Sequence, residues 1–244
     1  MAGDPNSRPR EIVDEFDMRV LEALAGQIPE GQVGEGLVLR TSRGDIPGIL
    51  HKAPGSQQGV IWVCGARGGF GGPGPGTYSR LAEQFRGQGI TSLRLDYRQP
   101  GDLLECVLDL AAGVVYFKDE GFDPVVVVGH SFGGAVVIAA GAGNPYVKGV
   151  VCLSSQTYGA DRAGQISPRP LLLVHGKSDT RLPYSCSQQI YSRALEPKKL
   201  VLYDSAEHRL EECRDELEQL LGDWIPATLA APVVPQEIPP TPLS

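Results

Sequence analysis

Four consecutive valines, Val125 to Val128, run directly into Gly129-His130-Ser131-Phe132-Gly133-Gly134 and then into the small, apolar stretch Ala135 to Ala140. A continuous β-branched run of this length suits a central parallel strand covered on both faces. The small residues that follow suit a helix packed closely on a sheet. Between them, glycines two before and two after a serine allow a turn from strand to helix so tight that almost no side chain fits there. Such a turn strains the serine backbone, raises its hydroxyl above the carboxyl edge of the sheet, and leaves the Phe132 amide free to face a developing negative charge.

The rest of the chain agrees with a parallel sheet. Strand-like and helix-like stretches alternate from Val60 onward: strands at Val60–Val63, Thr91–Leu95, Val125–Val128, Gly149–Leu153, Leu171–Val174 and Lys199–Tyr203. Helices are expected at about Thr77–Gln88, Asp102–Lys118, Tyr184–Ala194 and Leu210–Trp224. Alternation of this kind implies right-handed crossovers with helices on both faces. Two earlier strands, Gly36–Thr41 and Ile46–Lys52, flank the turn Ser42-Arg43-Gly44-Asp45 and predict an antiparallel start, giving eight strands in all. Ahead of them, Val13, Phe16, Val20, Leu21 and Leu24 fall on one face of a helix over about Glu11–Ala25. The organisation expected is an N-terminal tail and helix over residues 1–34, one α/β domain over 35–225, and a Pro-rich, disordered tail over 226–244.

Composition narrows the function classes. The 244 residues carry a net charge of -7 with no basic cluster, which argues against nucleic acid and anionic membranes as partners. No stretch approaches eighteen apolar residues, and the charged first seventeen residues leave no apolar core for a signal peptide. Five cysteines, without C-x-x-C spacing and mostly in apolar segments, read as buried thiols in a reducing cytoplasm. Neither they nor the four histidines show metal-ligand spacing.

A serine oxygen needs a base within hydrogen-bond reach and an acid that fixes the tautomer of that base. Of the four histidines, His51 lies on an early hairpin strand, His130 is locked beside the serine, and His175 ends a strand. His208 follows the final strand, where it can reach across the carboxyl edge, and is the expected base. Asp179, in the loop after Leu171–Val174, faces the same crevice and is the expected acid. Asp204, four residues before His208, competes for that role.

Seven glycines fill the loop from Gly65 to Gly76, just after a strand. The amide of Ala66 or Arg67, paired with that of Phe132, would complete an oxyanion hole. Phe70, Phe132 and Tyr158 are expected to wall the crevice, with Arg67 and Arg98 near its mouth as candidates for holding a substrate carboxylate. Gly69 to Gly74 also matches G-x-G-x-x-G, with Asp96 placed where a ribose-binding acid would stand. Against a dinucleotide site, the first of these glycines comes six residues after Val63 instead of at the strand end.

Taken together, Gly129 to Gly134, the His-Gly-x-x-Asp stretch ending at Asp179, and His208 resemble the α/β-hydrolase superfamily over about residues 35 to 225. Only about sixteen residues separate Leu153 from Pro170, and this resembles the capless dienelactone-hydrolase-like and small esterase branches. The resemblance implies a Ser131, Asp179, His208 triad, no large lid and no cofactor. Two departures stand out: dienelactone hydrolases use cysteine where this chain has Ser131, and Cys64-Gly65 stands where many relatives place His-Gly. The expectation is a serine hydrolase acting on small carboxylic esters of short acyl chains, with acyl thioesters as the nearest alternative. A non-catalytic binding protein on the same fold is a further alternative. The oligomeric state is left open.

Overall fold

A computed structural model describes residues 17–232. Nine strands form one sheet: β1 (Val20–Ala25), β2 (Glu35–Thr41), β3 (Gly44–His51), β4 (Gln58–Val63), β5 (Ile90–Leu95), β6 (Val125–His130), β7 (Val147–Leu153), β8 (Leu171–Gly176) and β9 (Lys198–Tyr203). Their order across the sheet is β1-β2-β3-β5-β4-β6-β7-β8-β9. The first three strands are antiparallel, β3 meets β5 antiparallel, and every later pair is parallel.

Among the described residues, five helices cover the sheet: α1 (Thr77–Gly87), α2 (Leu103–Asp119), α3 (Phe132–Gly141), α4 (Ser185–Arg193) and α5 (Arg214–Ala230). The valine run shows how they divide. Val125 and Val127 point into a core shared with α2, α3 and α4, while Val126 and Val128 point into the core under α1 and α5. All four are 0–1% exposed, so neither face of β6 has a place for a polar residue. Asp102 caps α2 by accepting the Glu105 amide at 3.1 Å, at the position where the helix is expected to start.

The chain leaves β4 for β5 on one side and returns past β4 to β6 on the other. Right-handed crossovers in opposite directions put α1 and α2 on opposite faces and open a crevice at the carboxyl ends of β4 and β6. The loop after β4 and the turn after β6 therefore meet at this crevice.

Three expectations need correction. The helix over Glu11–Ala25 lies partly outside the described residues, and within them Val20–Ala25 is an edge strand, which makes nine strands instead of eight. Unpaired groups on β2 offer β1 a ladder, with a register shift between Val20 and Glu22, and positions four apart such as Val20 and Leu24 carry a spacing that a helix and a strand both allow. The last helix begins at Arg214, after a turn in which Leu210 has φ +54°, and runs through Pro226 to Ala230. Part of the segment expected as a tail is thus helical; residues 233–244 lie outside the described residues. Among the described residues, no helix is long and apolar enough to cross a membrane.

Candidate active site

Ser131 sits between β6 and α3 at φ +59°, ψ -119°, a backbone conformation that side chains rarely adopt. Space explains the glycines around it. A methyl group on Gly129 would lie 2.0 Å from the Gly133 carbonyl oxygen, and one on Gly133 would lie 2.3 Å from the Cys64 carbonyl oxygen. One on Gly134 would strike Ser155 Oγ at 2.4 Å. The Ser131 amide is tied to the Leu153 carbonyl at 2.8 Å, which joins the strained turn to β7.

Asp179 and His208 come from the loops after β8 and β9. Gly176 lets these loops stack, since a methyl group there would meet the Ala206 carbonyl oxygen at 2.0 Å. His208 Nε2 is 3.0 Å from Ser131 Oγ, and His208 Nδ1 is 2.7 Å from Asp179 Oδ2. The other carboxylate oxygen accepts the amides of Arg181 and Leu182, each at 2.8 Å. Burial alone would raise the Asp179 pKa, but the Leu182 amide, His208 and the Arg181 amide together hold it below the usual value. Asp204 turns the other way: its side chain is 85% exposed and pairs with Lys177 at 2.5 Å.

Two other histidines, unassigned from sequence, complete the surroundings. His130 donates from Nε2 to the His208 carbonyl at 3.0 Å, with the two rings 5.0 Å apart. Burial lowers its pKa to about 4, so the ring is neutral. His175 lies against Asp179 Oδ2 at 3.0 Å and is fully buried.

The loop after β4 passes the serine at Gly65, where an added methyl group would stand 3.4 Å from Ser131 Cβ. A turn closed by the Gly68 amide on the Gly65 carbonyl (2.9 Å) follows. Its middle residues are Ala66 and Arg67, and such residues do not use their amides in closing the turn. The Phe132 amide is the first of α3, where no preceding helical turn supplies an acceptor. The amides of Ala66, Arg67 and Phe132 are thus left as candidate donors, the last at a helix terminus that favours negative charge.

Side chains distant along the sequence brace this loop. Arg94, fully buried on β5, donates to the Phe70 carbonyl (3.3 Å), Gln32 Oε1 (2.7 Å), the Val33 carbonyl (2.7 Å) and His51 Nε2 (3.0 Å). His51 Nδ1 in turn meets Glu83 at 2.5 Å. Cys64 is a packing residue whose Sγ accepts the Gly72 amide, and burial pushes its thiol up to about 11.

Several sequence-predicted contacts are placed differently. The Phe132 ring is turned into the core, edge-on to Tyr97 at 6.1 Å, and is no crevice wall. Tyr158 is 74% exposed and borders a cleft of about 560 Å3 with Leu103, Leu104 and Arg162; Ser131 does not line that cleft. Phe70 is partly buried. Arg98 is spent on Asp109 and Glu105 with its side chain 6% exposed, and so cannot hold a substrate carboxylate. Arg67 is exposed. Asp96, the rival ribose ligand, is occupied by the amides of Gly69 and Tyr97.

A family model described as "Alpha/beta hydrolase family" matches residues 60–241. The uncharacterized protein YfhR of Escherichia coli (strain K12) is 37% identical over 84 residues, 34% of this chain and 28% of that protein. The match therefore spans less than a third of that curated relative. Among solved structures, Est1E from Butyrivibrio proteoclasticus is similar at a TM-score of 0.69 with 18% identity, covering 80% of this chain and 99% of that one. A dienelactone hydrolase from Anabaena variabilis is similar at 0.68 with 19% identity, covering 86% and 100%.

Proposed function

The chain belongs to the alpha/beta hydrolase family, and from that premise we propose that it is a serine hydrolase that cleaves small carboxylic esters through an acyl-Ser131 intermediate. The observation that carries this reading is the linked geometry of Ser131 Oγ, His208 and Asp179, at 3.0 and 2.7 Å, built on a strained serine.

In this reading His208 Nε2 takes the hydroxyl proton as Ser131 Oγ attacks the ester carbonyl carbon. The carbonyl oxygen gains negative charge and moves toward the amides of Phe132 and of Ala66 or Arg67. Asp179 keeps the Nδ1–H tautomer of His208 and stabilises the imidazolium. His208 then returns its proton to the leaving alkoxide, and the acyl group stays on Ser131. Water, deprotonated by the same nitrogen, repeats the addition and frees the acid. Neighbouring structures named as an esterase and a dienelactone hydrolase are consistent with ester chemistry.

Labelling with a fluorophosphonate tests the assignment directly. The probe should modify Ser131, and Ser131→Ala should abolish labelling and lower kcat on any ester substrate by roughly 10⁶ while the fold persists. Labelling at another residue, or retention of more than about a tenth of the activity, would remove Ser131 from its role. Comparing matched esters and thioesters in the same assay separates an esterase from an acyl thioesterase.

A further inference from the structure

Asp179 Oδ2 faces two imidazoles. His208 Nδ1 approaches it at 2.7 Å and His175 Nε2 at 3.0 Å. The side chains of Asp179 and His175 are both 0% exposed, so water does not take the second position. The same His175 nitrogen is 3.0 Å from the Leu182 carbonyl, a group that can only accept. Nε2 must therefore carry the proton, shared between two acceptors. On the other side of the ring Nδ1 is 2.7 Å from the hydroxyl of Ser187, itself fully buried on α4. Burial lowers the His175 pKa and so favours the neutral ring, in which Nδ1 accepts and Ser187 donates.

We propose that His175 is a positioning residue for the reaction at Ser131: locked in one tautomer by Leu182 and Ser187, it supplies a second N–H to the Asp179 oxygen that receives His208. The inference rests on the triad reading of the preceding subsection. With the Arg181 and Leu182 amides on Oδ1, both carboxylate oxygens carry two donors, and the group's accepting capacity is filled. Rotation of the carboxylate would break several bonds at once. An oxygen that already accepts one N–H is also a weaker base toward another. The proton on His208 Nδ1 therefore stays on the imidazole when the ring becomes charged, and withdrawing the His175 donor would strengthen the carboxylate's pull on that charge.

The acid limb of kcat/KM against pH reads this effect. Around His208, burial holds the His130 pKa low, at about 4, and the Cys186 thiol up, Arg209 pairs with Glu211, and Glu207 binds Thr180. His175→Phe keeps a ring but removes the donor. It should move the acid limb upward by about half to one pH unit and lower the plateau kcat by about 10- to 100-fold. His175→Gln keeps an N–H donor and should restore most of the limb position. Ser187→Ala, which leaves His175 in place but unlocks its tautomer, should shift the limb the same way by less. In the wild type, imidazole ¹⁵N shifts should show His175 protonated at Nε2 and not at Nδ1.

A folded His175→Phe variant whose acid limb stays in place would overturn the proposal, as would ¹⁵N shifts placing the His175 proton on Nδ1. If His175→Phe does not fold, Ser187→Ala and the ¹⁵N shifts decide it alone. Failure of the underlying triad reading looks different: fluorophosphonate would then miss Ser131 in the wild type. Labelling at Ser131 together with an unmoved limb sinks only the role of His175.

Discussion

Asp96 Oδ1 accepts the amide of Gly69 at 2.6 Å and ties the glycine-rich loop to the end of β5. The contact is so close that a methyl group on Gly68 would lie 2.3 Å from the same oxygen, at a backbone φ of +67°. Gly68 closes the turn that presents Ala66 and Arg67, so this carboxylate sets where the proposed oxyanion donors stand. Asp96→Ala should lower kcat by about tenfold or more with a smaller change in KM, because donors displaced by a fraction of an ångström lose most at the transition state. Asp96→Asn retains an acceptor oxygen and should recover much of the rate. Steady-state kinetics beside thermal melts check this, and equal losses in both variants would argue that charge, not acceptance of the Gly69 amide, is what matters.

The two candidate acids can be separated by the same kind of measurement. Asp179→Asn should lower kcat by about 10⁴, because an amide that donates toward His208 Nδ1 favours the wrong tautomer. Asp204, exposed and paired with Lys177, should be replaceable by Asn with little effect. The opposite ranking in folded variants would transfer the acid to Asp204.

The residues brought to Ser131 were legible because each is tied to a local geometric demand. Glycines at 129 and 133 mark a turn with no room for Cβ, and loops after parallel strands reach one edge, so Asp179 and His208 follow from strand order. What escaped the sequence depends on partners distant along the chain. Arg94 reads as a strand arginine on its own, and only the approach of Gln32, Val33 and Phe70 makes it a buried brace. Position beside the serine suggests Phe132 as a wall, yet the helix rotates its ring toward Tyr97. The segment of β1 reads as a helix because Val20 and Leu24 are four apart, but the pairing of the β2 edge, not local periodicity, decides their conformation.

Buried neutral histidines make stability depend on pH in a predictable direction. The folded pKa of His130 is lowered from 6.5 to about 4, and those of His51 and His175 are lowered as well. Between these values the unfolded chain binds more protons than the folded one, so stability rises with pH from about 4 to 6.5 and falls as the solution is acidified. At about 1.36 kcal/mol per pH unit, His130 alone contributes on the order of 3 kcal/mol that is present above pH 6.5 and lost by about pH 4. Asp179, with its pKa depressed, adds a loss at still lower pH, as the solution passes through its folded value. Thermal melts should show Tm dropping from pH 7 toward pH 5, and His130→Gln should flatten that slope. An unchanged slope in the variant would mean that His130 is already protonated in the folded protein.

Acyl-chain length is the remaining consequence of the way the crevice is built. The segment Ser154 to Arg169, where a lid would be inserted, carries only a single 3₁₀ turn, Ala163–Ile166. Phe132 is turned inward and Tyr158 is largely exposed beside a cleft that Ser131 does not line, which removes two of the three rings expected to wall the crevice. A methylene stabilises the transition state by up to about 0.8 kcal/mol, roughly fourfold in rate, and only while it is being buried. Across a series of p-nitrophenyl esters, kcat/KM should therefore rise over the first few carbons, peak at acyl chains of about two to six, and then level off or fall. A steady rise to about twelve carbons or beyond would require a long apolar channel and would turn the assignment toward a lipase or an acyl thioesterase.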